Sequence, residues 1–182
     1  MARVNLVKPT EASGDVKGTL EHIQRAFGVV PAMFQAVANS DVALKSMWGS
    51  FGALAGGKLS AVVKEQLAVA IADRNACEYC LAAHTALGRK AGASAQEMSA
   101  AQRGKSDDPR TAAALAFALK LVDARGQISE EDFRALRAAG YDDEAVVEII
   151  AHVALNLFTN YINVALQVPV DFPAVQLAKN AA

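Results

Sequence analysis

Apolar residues recur every three to four positions along most of the chain, the spacing of one face of a helix, and no segment alternates with period two. The first helical run begins near Asp15, takes in Leu20, Ile23 and Phe27, and stops at Gly28. Pro31 fits the first turn of a short helix through Met33, Phe34 and Val37. Asp41 is the expected N-cap of a third helix (Leu44, Met47, Trp48, Phe51), ended by Gly56 and Gly57. Ser60 caps a fourth helix through Val63, Leu67, Ala70 and Ile71, which Asn75 breaks. Cys77 then opens a fifth, ending at Gly92. Ser94, with Glu97 three residues on, has the capping-box pattern for a sixth. After the polar loop Arg103 to Asp108, Pro109 starts a seventh helix through Leu115, Leu119 and Val122, stopped by Gly126. Ser129 to Ala139 forms an eighth, closed by Gly140, and Asp142 caps the last and longest, to about Gln167 before Pro169.

Composition sharpens this reading. Of 182 residues 39 are alanine, the best helix former and a poor strand former, so the pattern predicts an all-α chain of about eight to nine helices. The length suits one domain over residues 1–182, with an extended arm at 1–14 and a tail at 173–182. Ser60 to Ile71 and Asp142 to Leu155 are both capped, Ala/Val-rich helices with one internal carboxylate (Glu65, Glu148), a loose echo that suggests a duplicated helical unit. The net charge of −1 argues against a nucleic-acid footprint. Residues 1–9 lack the continuous apolar run of a signal peptide. The apolar stretches Leu67 to Ala72 and Ala145 to Leu157 are short for a membrane span or interrupted by Glu148, His152 and Asn156, so a soluble cytoplasmic chain is expected.

Two cysteines cannot build a disulfide scaffold, but both fall within four residues: Cys77-Glu78-Tyr79-Cys80-Leu81-Ala82-Ala83-His84. At about 100° per residue, Cys80 lies about 300° and His84 about 340° around the helix from Cys77, so the three side chains share one stripe. Cys80 and His84 are i, i+4 neighbours, close enough for an imidazole to meet a thiol. At a helix start the backbone N–H groups favour the thiolate, and a nearby histidine can take its proton. This is the equipment of reversible thiol–disulfide chemistry. Two buried structural cysteines, or a zinc site with His84 and Glu65 or His152, are the alternatives, and no second Cys-X-X-Cys supports the metal.

With Glu65 twelve residues before Cys77, the constellation Glu65, Cys77, Cys80, His84 resembles the AhpD-like alkylhydroperoxidases of the carboxymuconolactone decarboxylase superfamily. Gly28 to Phe34, Gly92 and Asn160-Tyr161-Ile162-Asn163 extend the likeness over roughly residues 20–172. The resemblance implies an AhpD-like helical bundle and a thiol peroxidase or disulfide reductase acting on alkyl hydroperoxides or H2O2. It implies Cys80 as peroxidatic thiolate, Cys77 as resolving thiol, and His84 with Glu65 as proton relay. It also implies no bound cofactor, an external dithiol reductant of lipoyl type, and a homo-oligomer, trimer or hexamer. Well-known members carry a second histidine directly before the second cysteine; here Tyr79 stands there, a hydrogen-bonding but weakly basic group assigned to substrate binding. Helix-end physics alone favours Cys77 as the reactive thiol, whereas the i+4 histidine favours Cys80.

A decarboxylase of the same superfamily is a competing reading that the cysteine pair disfavours, and a redox- or zinc-sensing helical module without turnover is another. His152, Asn156 and Asn160 form a polar i, i+4, i+8 stripe on the apolar last helix, expected against another helix, a subunit or the pocket. Phe27, Met33, Phe34, Met47, Trp48 and Phe51 read as core, with the option of walling a pocket for an apolar peroxide or lipoyl arm.

Overall fold

The computed structural model describes residues 1–178, and among them nine α-helices and no strand. They are α1 (Gly14–Phe27), α2 (Ala32–Val37), α3 (Asp41–Ala55), α4 (Ala61–Arg74), α5 (Glu78–Lys90), α6 (Ala95–Gln102), α7 (Pro109–Asp123), α8 (Glu130–Ala138) and α9 (Asp143–Leu166). The all-α expectation and the helix count hold.

Helix α4 is the axis of the fold. Its residues Gln66 to Asp73 are all buried, an apolar run from Leu67 to Ala72 enclosed on every side and flanked by two buried polar residues, Gln66 and Asp73. It packs against α5, α6, α7 and α9. Alanines at 68, 70 and 72 leave room for those neighbours to approach. Helix α9 runs alongside and also meets α2, α3, α5 and α7. As one continuous 24-residue helix it is, among the described residues, the one long and apolar enough to cross a membrane; half of its most apolar stretch is buried inside the protein. Glu148 and the polar stripe are therefore accommodated within one helix rather than dividing it.

Most boundaries fall where the sequence places them. Ser60, Ser94, Ser129 and Asp142 accept the N3 amides of α4, α6, α8 and α9, and Gly28 closes α1 in the left-handed region at φ 82°. Three differ. Ser40, not Asp41, caps α3, because the Ser40 hydroxyl reaches the Ala43 amide and Asp41 already has helical position. Pro31 is the N-cap of α2 rather than part of its first turn. Cys77 is the N-cap of α5 and lies outside the helix.

The termini fasten the bundle by non-local bonds. Arg3 N–H donates to Leu166 O and Val7 N–H to Gln35 O, so the arm runs along the ends of α9 and α2. In the expected tail, Ala178 N–H donates to the buried Asp73 carboxylate and Gln102 Nε2 reaches Gln176 O; residues 179–182 of that tail lie outside the described residues.

Candidate functional site

The α4–α5 connection sets the cysteine geometry. Asn75 ends α4, and Ala76 turns the chain through the left-handed region at φ 51°, a conformation that costs an L-residue roughly 1–2 kcal/mol. Cys77 N–H then bonds back to Ala72 O at 2.9 Å. This reversal folds the Cys77 sulfur over the first turn of α5, where it accepts the Cys80 N–H at 3.3 Å. The shared helical stripe inferred from spacing thus needs correcting for Cys77, whose φ of −93° and ψ of 89° are not helical. The sulfurs still meet, through capping: Cys77 Sγ donates to Cys80 Sγ at 2.7 Å, and both thiols are free and buried.

Around Cys80 the other candidates converge. His84 stands one turn further along α5. Its Nδ1 lies 2.7 Å from Glu65 Oε2 on α4, which leaves Nε2 for proton exchange in the cleft. Gly88 permits this approach of the two helices: a Cβ there would come within 2.5 Å of the Met98 methyl and 3.2 Å of Glu65 Cβ. From α9, Asn163 Nδ2 donates to Cys80 Sγ at 3.1 Å.

These contacts divide the two thiols electrostatically. Burial pushes Cys80 upward, but the Cys77 thiol, the His84 charge and the amides of Asn163 and Asn160 outweigh it and hold Cys80 below the ordinary thiol value. Cys77 is raised, because its proton is engaged by the Cys80 sulfur and because it is buried. Burial lowers His84, yet the Glu65 carboxylate prevails and its net shift is upward. Position at the helix end therefore does not decide which sulfur ionises; the donors facing Cys80 do.

Cys80 and His84 open on a small apolar cavity of about 40 Å³, walled by Phe27, Pro31, Met33, Phe34, Phe51, Leu87 and Phe172 among others. Four of the aromatic and methionine residues read as core thus also line the cleft, while Met47 is fully buried behind them. Tyr79 lines it too. Its ring sits edge-on to Phe172, centroids 5.7 Å apart, and its hydroxyl accepts the Met33 N–H at 3.3 Å. Burial raises its pKa further above neutrality, which makes it a wall rather than a base. A second cavity of about 350 Å³ shares Phe51, His84 and Thr159 with the first and reaches Lys64, Glu65, His152 and Asn156.

The polar stripe of α9 consequently faces this side of the molecule. His152 Nε2 lies 3.7 Å from Glu148 Oε1, and burial lowers the histidine's pKa. Asn160 Oδ1 accepts from Asn75 Nδ2 at 2.9 Å, beside the α4–α5 turn. Asn163, three residues on, carries the stripe to the sulfur; the signal for it was the same run of polar residues on an apolar helix. Among the described residues no group of three or more His, Cys, Asp or Glu is arranged to hold a metal ion.

Residues 43–124, from α3 to the end of α7, match the carboxymuconolactone decarboxylase family, and this span contains Glu65, Cys77, Cys80 and His84. Similar solved structures include a peroxidase-related protein with an alkylhydroperoxidase AhpD core from Ralstonia eutropha JMP134 (27% identity, TM-score 0.85, covering 93% of this chain and 92% of that one). A peroxidase-related protein of Silicibacter sp. TM1040 is 25% identical (TM-score 0.79, covering 92% of this chain and 91% of that one). The debrominase Bmp8, in complex with 2,3,4-tribromopyrrole, shares the fold at 21% identity (TM-score 0.79, covering 94% of each chain). No curated protein matches the chain. The family match over the cysteine-bearing helices, together with the near full-length likeness to the AhpD-core and peroxidase-related structures, supports an AhpD-like member of the carboxymuconolactone decarboxylase superfamily.

Proposed function

We propose that the protein is a thiol peroxidase that reduces organic hydroperoxides or H2O2 and is re-reduced by an external dithiol of lipoyl type. The observation that carries this is the asymmetry of the pair. One sulfur, Cys80, is shifted toward its ionised form by the Cys77 thiol, by His84, which Glu65 supports, and by Asn163, and it lies 2.7 Å from the second. The Cys80 thiolate attacks the distal peroxide oxygen. An S–O bond forms, the O–O bond breaks, and the departing alkoxide takes a proton from His84, which Glu65 holds in place. The Cys77 sulfur then displaces hydroxide from the Cys80 sulfenic acid. The Cys77 proton leaves with it as water, and a disulfide remains. The cavity beside Cys80, about 40 Å³ and almost wholly apolar, suits a peroxide head group whose alkyl part lies along Phe27 and Phe34.

Titration of the reduced protein with cumene hydroperoxide tests this. Wild type should lose two thiols per chain, Cys77→Ser should stop at a dimedone-reactive sulfenic acid, and unchanged peroxide consumption by Cys80→Ser would overturn the reading. The aromatic wall around Cys80 favours a second acceptor class, a halogenated ring such as the one bound by Bmp8, from which the pair would take halogen and release halide. Bromide release from a bromopyrrole, measured beside the peroxide assay, separates the two.

A further inference from the structure

We infer that the two sulfurs are served from different sides, and that the dithiol reductant enters by a separate cleft at the foot of α9 and attacks Cys77. The inference rests on the peroxidase reading and names the route of its second half-reaction. Cys80 contributes to the small apolar cavity and Cys77 does not. Cys77 contributes to another cavity, of about 190 Å³, in which Cys80 takes no part. That cavity is formed with Glu78, Asn163, Val164, Gln167 and Val170. Tyr79 lines both cavities and is the partition between them.

Thiol–disulfide exchange is an in-line displacement, in which the incoming sulfur approaches the attacked sulfur from the side opposite the departing one. In a Cys77–Cys80 disulfide, a nucleophile in the α9 cleft meets Cys77 with Cys80 behind it, whereas one in the apolar cavity meets Cys80. Attack at Cys77 expels the sulfur that Asn163 stabilises as a thiolate, the better leaving group. The first thiolate of the reductant forms an S–S bond to Cys77 as the Cys77–Cys80 bond breaks and Cys80 leaves with the electron pair. The second thiol of the reductant then closes its own disulfide and releases Cys77, which is reprotonated.

The cleft selects the occupant by shape. Cys77 is only 1% exposed, too deep for a cysteine on the surface of a folded protein. A volume of about 190 Å³ accommodates a slender aliphatic chain carrying a dithiol, and Val164 and Val170, 48% and 40% exposed, form an apolar mouth for it. Gln167 closes the end of α9 in a left-handed conformation at φ 51°, so the wall of the cleft is a helix terminus.

The test resolves the two half-reactions. Wild type, Val164→Trp and Val170→Trp are oxidised with one equivalent of cumene hydroperoxide, freed of peroxide, and mixed with dihydrolipoamide while thiol recovery is followed. Oxidation should be unchanged in both variants, and re-reduction slowed roughly tenfold. In parallel, oxidised wild type is mixed with excess β-mercaptoethanol, quenched with acid and mapped by mass spectrometry. The first mixed disulfide should be on Cys77. An adduct on Cys80, or re-reduction at wild-type rate in both variants, overturns the separate entry while leaving the peroxidase intact. Failure of wild type to form a disulfide at all removes the peroxidase reading and this inference with it.

Discussion

Asn163→Ala offers a direct measure of how the fold makes one cysteine reactive. The side chain donates to Cys80 Sγ at 3.1 Å and is buried. A hydrogen bond to a charged group contributes about 1.5–3 kcal/mol, and sulfur is a weak acceptor, so the lower end, ~1.5 kcal/mol, applies. That corresponds to about one pKa unit. Cys80 ionises below the ordinary thiol value of about 8.5, so the wild-type alkylation rate should climb at a lower pH than that of a free thiol. In Asn163→Ala the whole profile should move up by about one unit, and alkylation at pH 7 should fall by up to about tenfold. Iodoacetamide labelling across pH 5–10, with each cysteine quantified by peptide mass, reads this out. Stability should change far less than reactivity, because Asn163 Oδ1 is a buried acceptor without a partner and its removal relieves a desolvated group. Asn163→Asp should move the profile further in the same direction, since a carboxylate beside the sulfur opposes the thiolate. A variant profile superimposed on that of wild type would refute the assignment.

Other substitutions probe the supports of the site. Glu65→Gln removes the charge that raises His84. A raised histidine stabilises the fold fully below its unfolded value of about 6.5, and that contribution fades as pH rises through the folded pKa; urea melts should therefore show the variant destabilised at pH 5.5 and closer to wild type at pH 9. Gly88→Ala forces the Met98 side chain aside and crowds Glu65, with an expected loss of about 1–3 kcal/mol in denaturant unfolding and slower peroxide turnover. Phe34, 1% exposed and within 6 Å of the rings of Phe27, Trp48 and Phe51, should cost about 3–5 kcal/mol as alanine by the same melt. Ala76→Gly should stabilise by roughly 1 kcal/mol, because glycine holds a φ of 51° without a Cβ clash; a lower melting temperature would contradict that.

Helices and their ends were legible in the sequence because their determinants are local. Ser60, Ser94 and Ser129 cap amides three residues away, and the apolar spacing of α4 or α7 is visible without a partner. The Cys77, Cys80, His84 cluster was legible for the same reason, with its one error at the same scale: a cysteine is an unusual N-cap, so placing Cys77 inside α5 was the natural reading, and only the backbone turn at Ala76 shows otherwise. What sequence spacing could not supply were the contacts made across long separations. The amide of Asn163 meets a sulfur 83 residues earlier, and Glu148 accepts the Lys58 and Leu59 amides 90 and 89 residues away. The stripe His152, Asn156, Asn160 announced a buried polar face on α9 but not which helix it addressed.

The dependence of Cys80 on α9 has a consequence for the growing polypeptide. The cysteines are synthesised in the first half of the chain, and the amide that favours the thiolate comes 83 residues later. A chain emerging from the ribosome with α4 and α5 formed but α9 not yet made carries the thiol pair without that donor, and without the helix that covers it. The part of the thiolate's stabilisation that comes from Asn163 is thus conferred last, when the final long helix docks, and a truncated or stalled product keeps the Cys77, His84 and Glu65 contacts but lacks that donor.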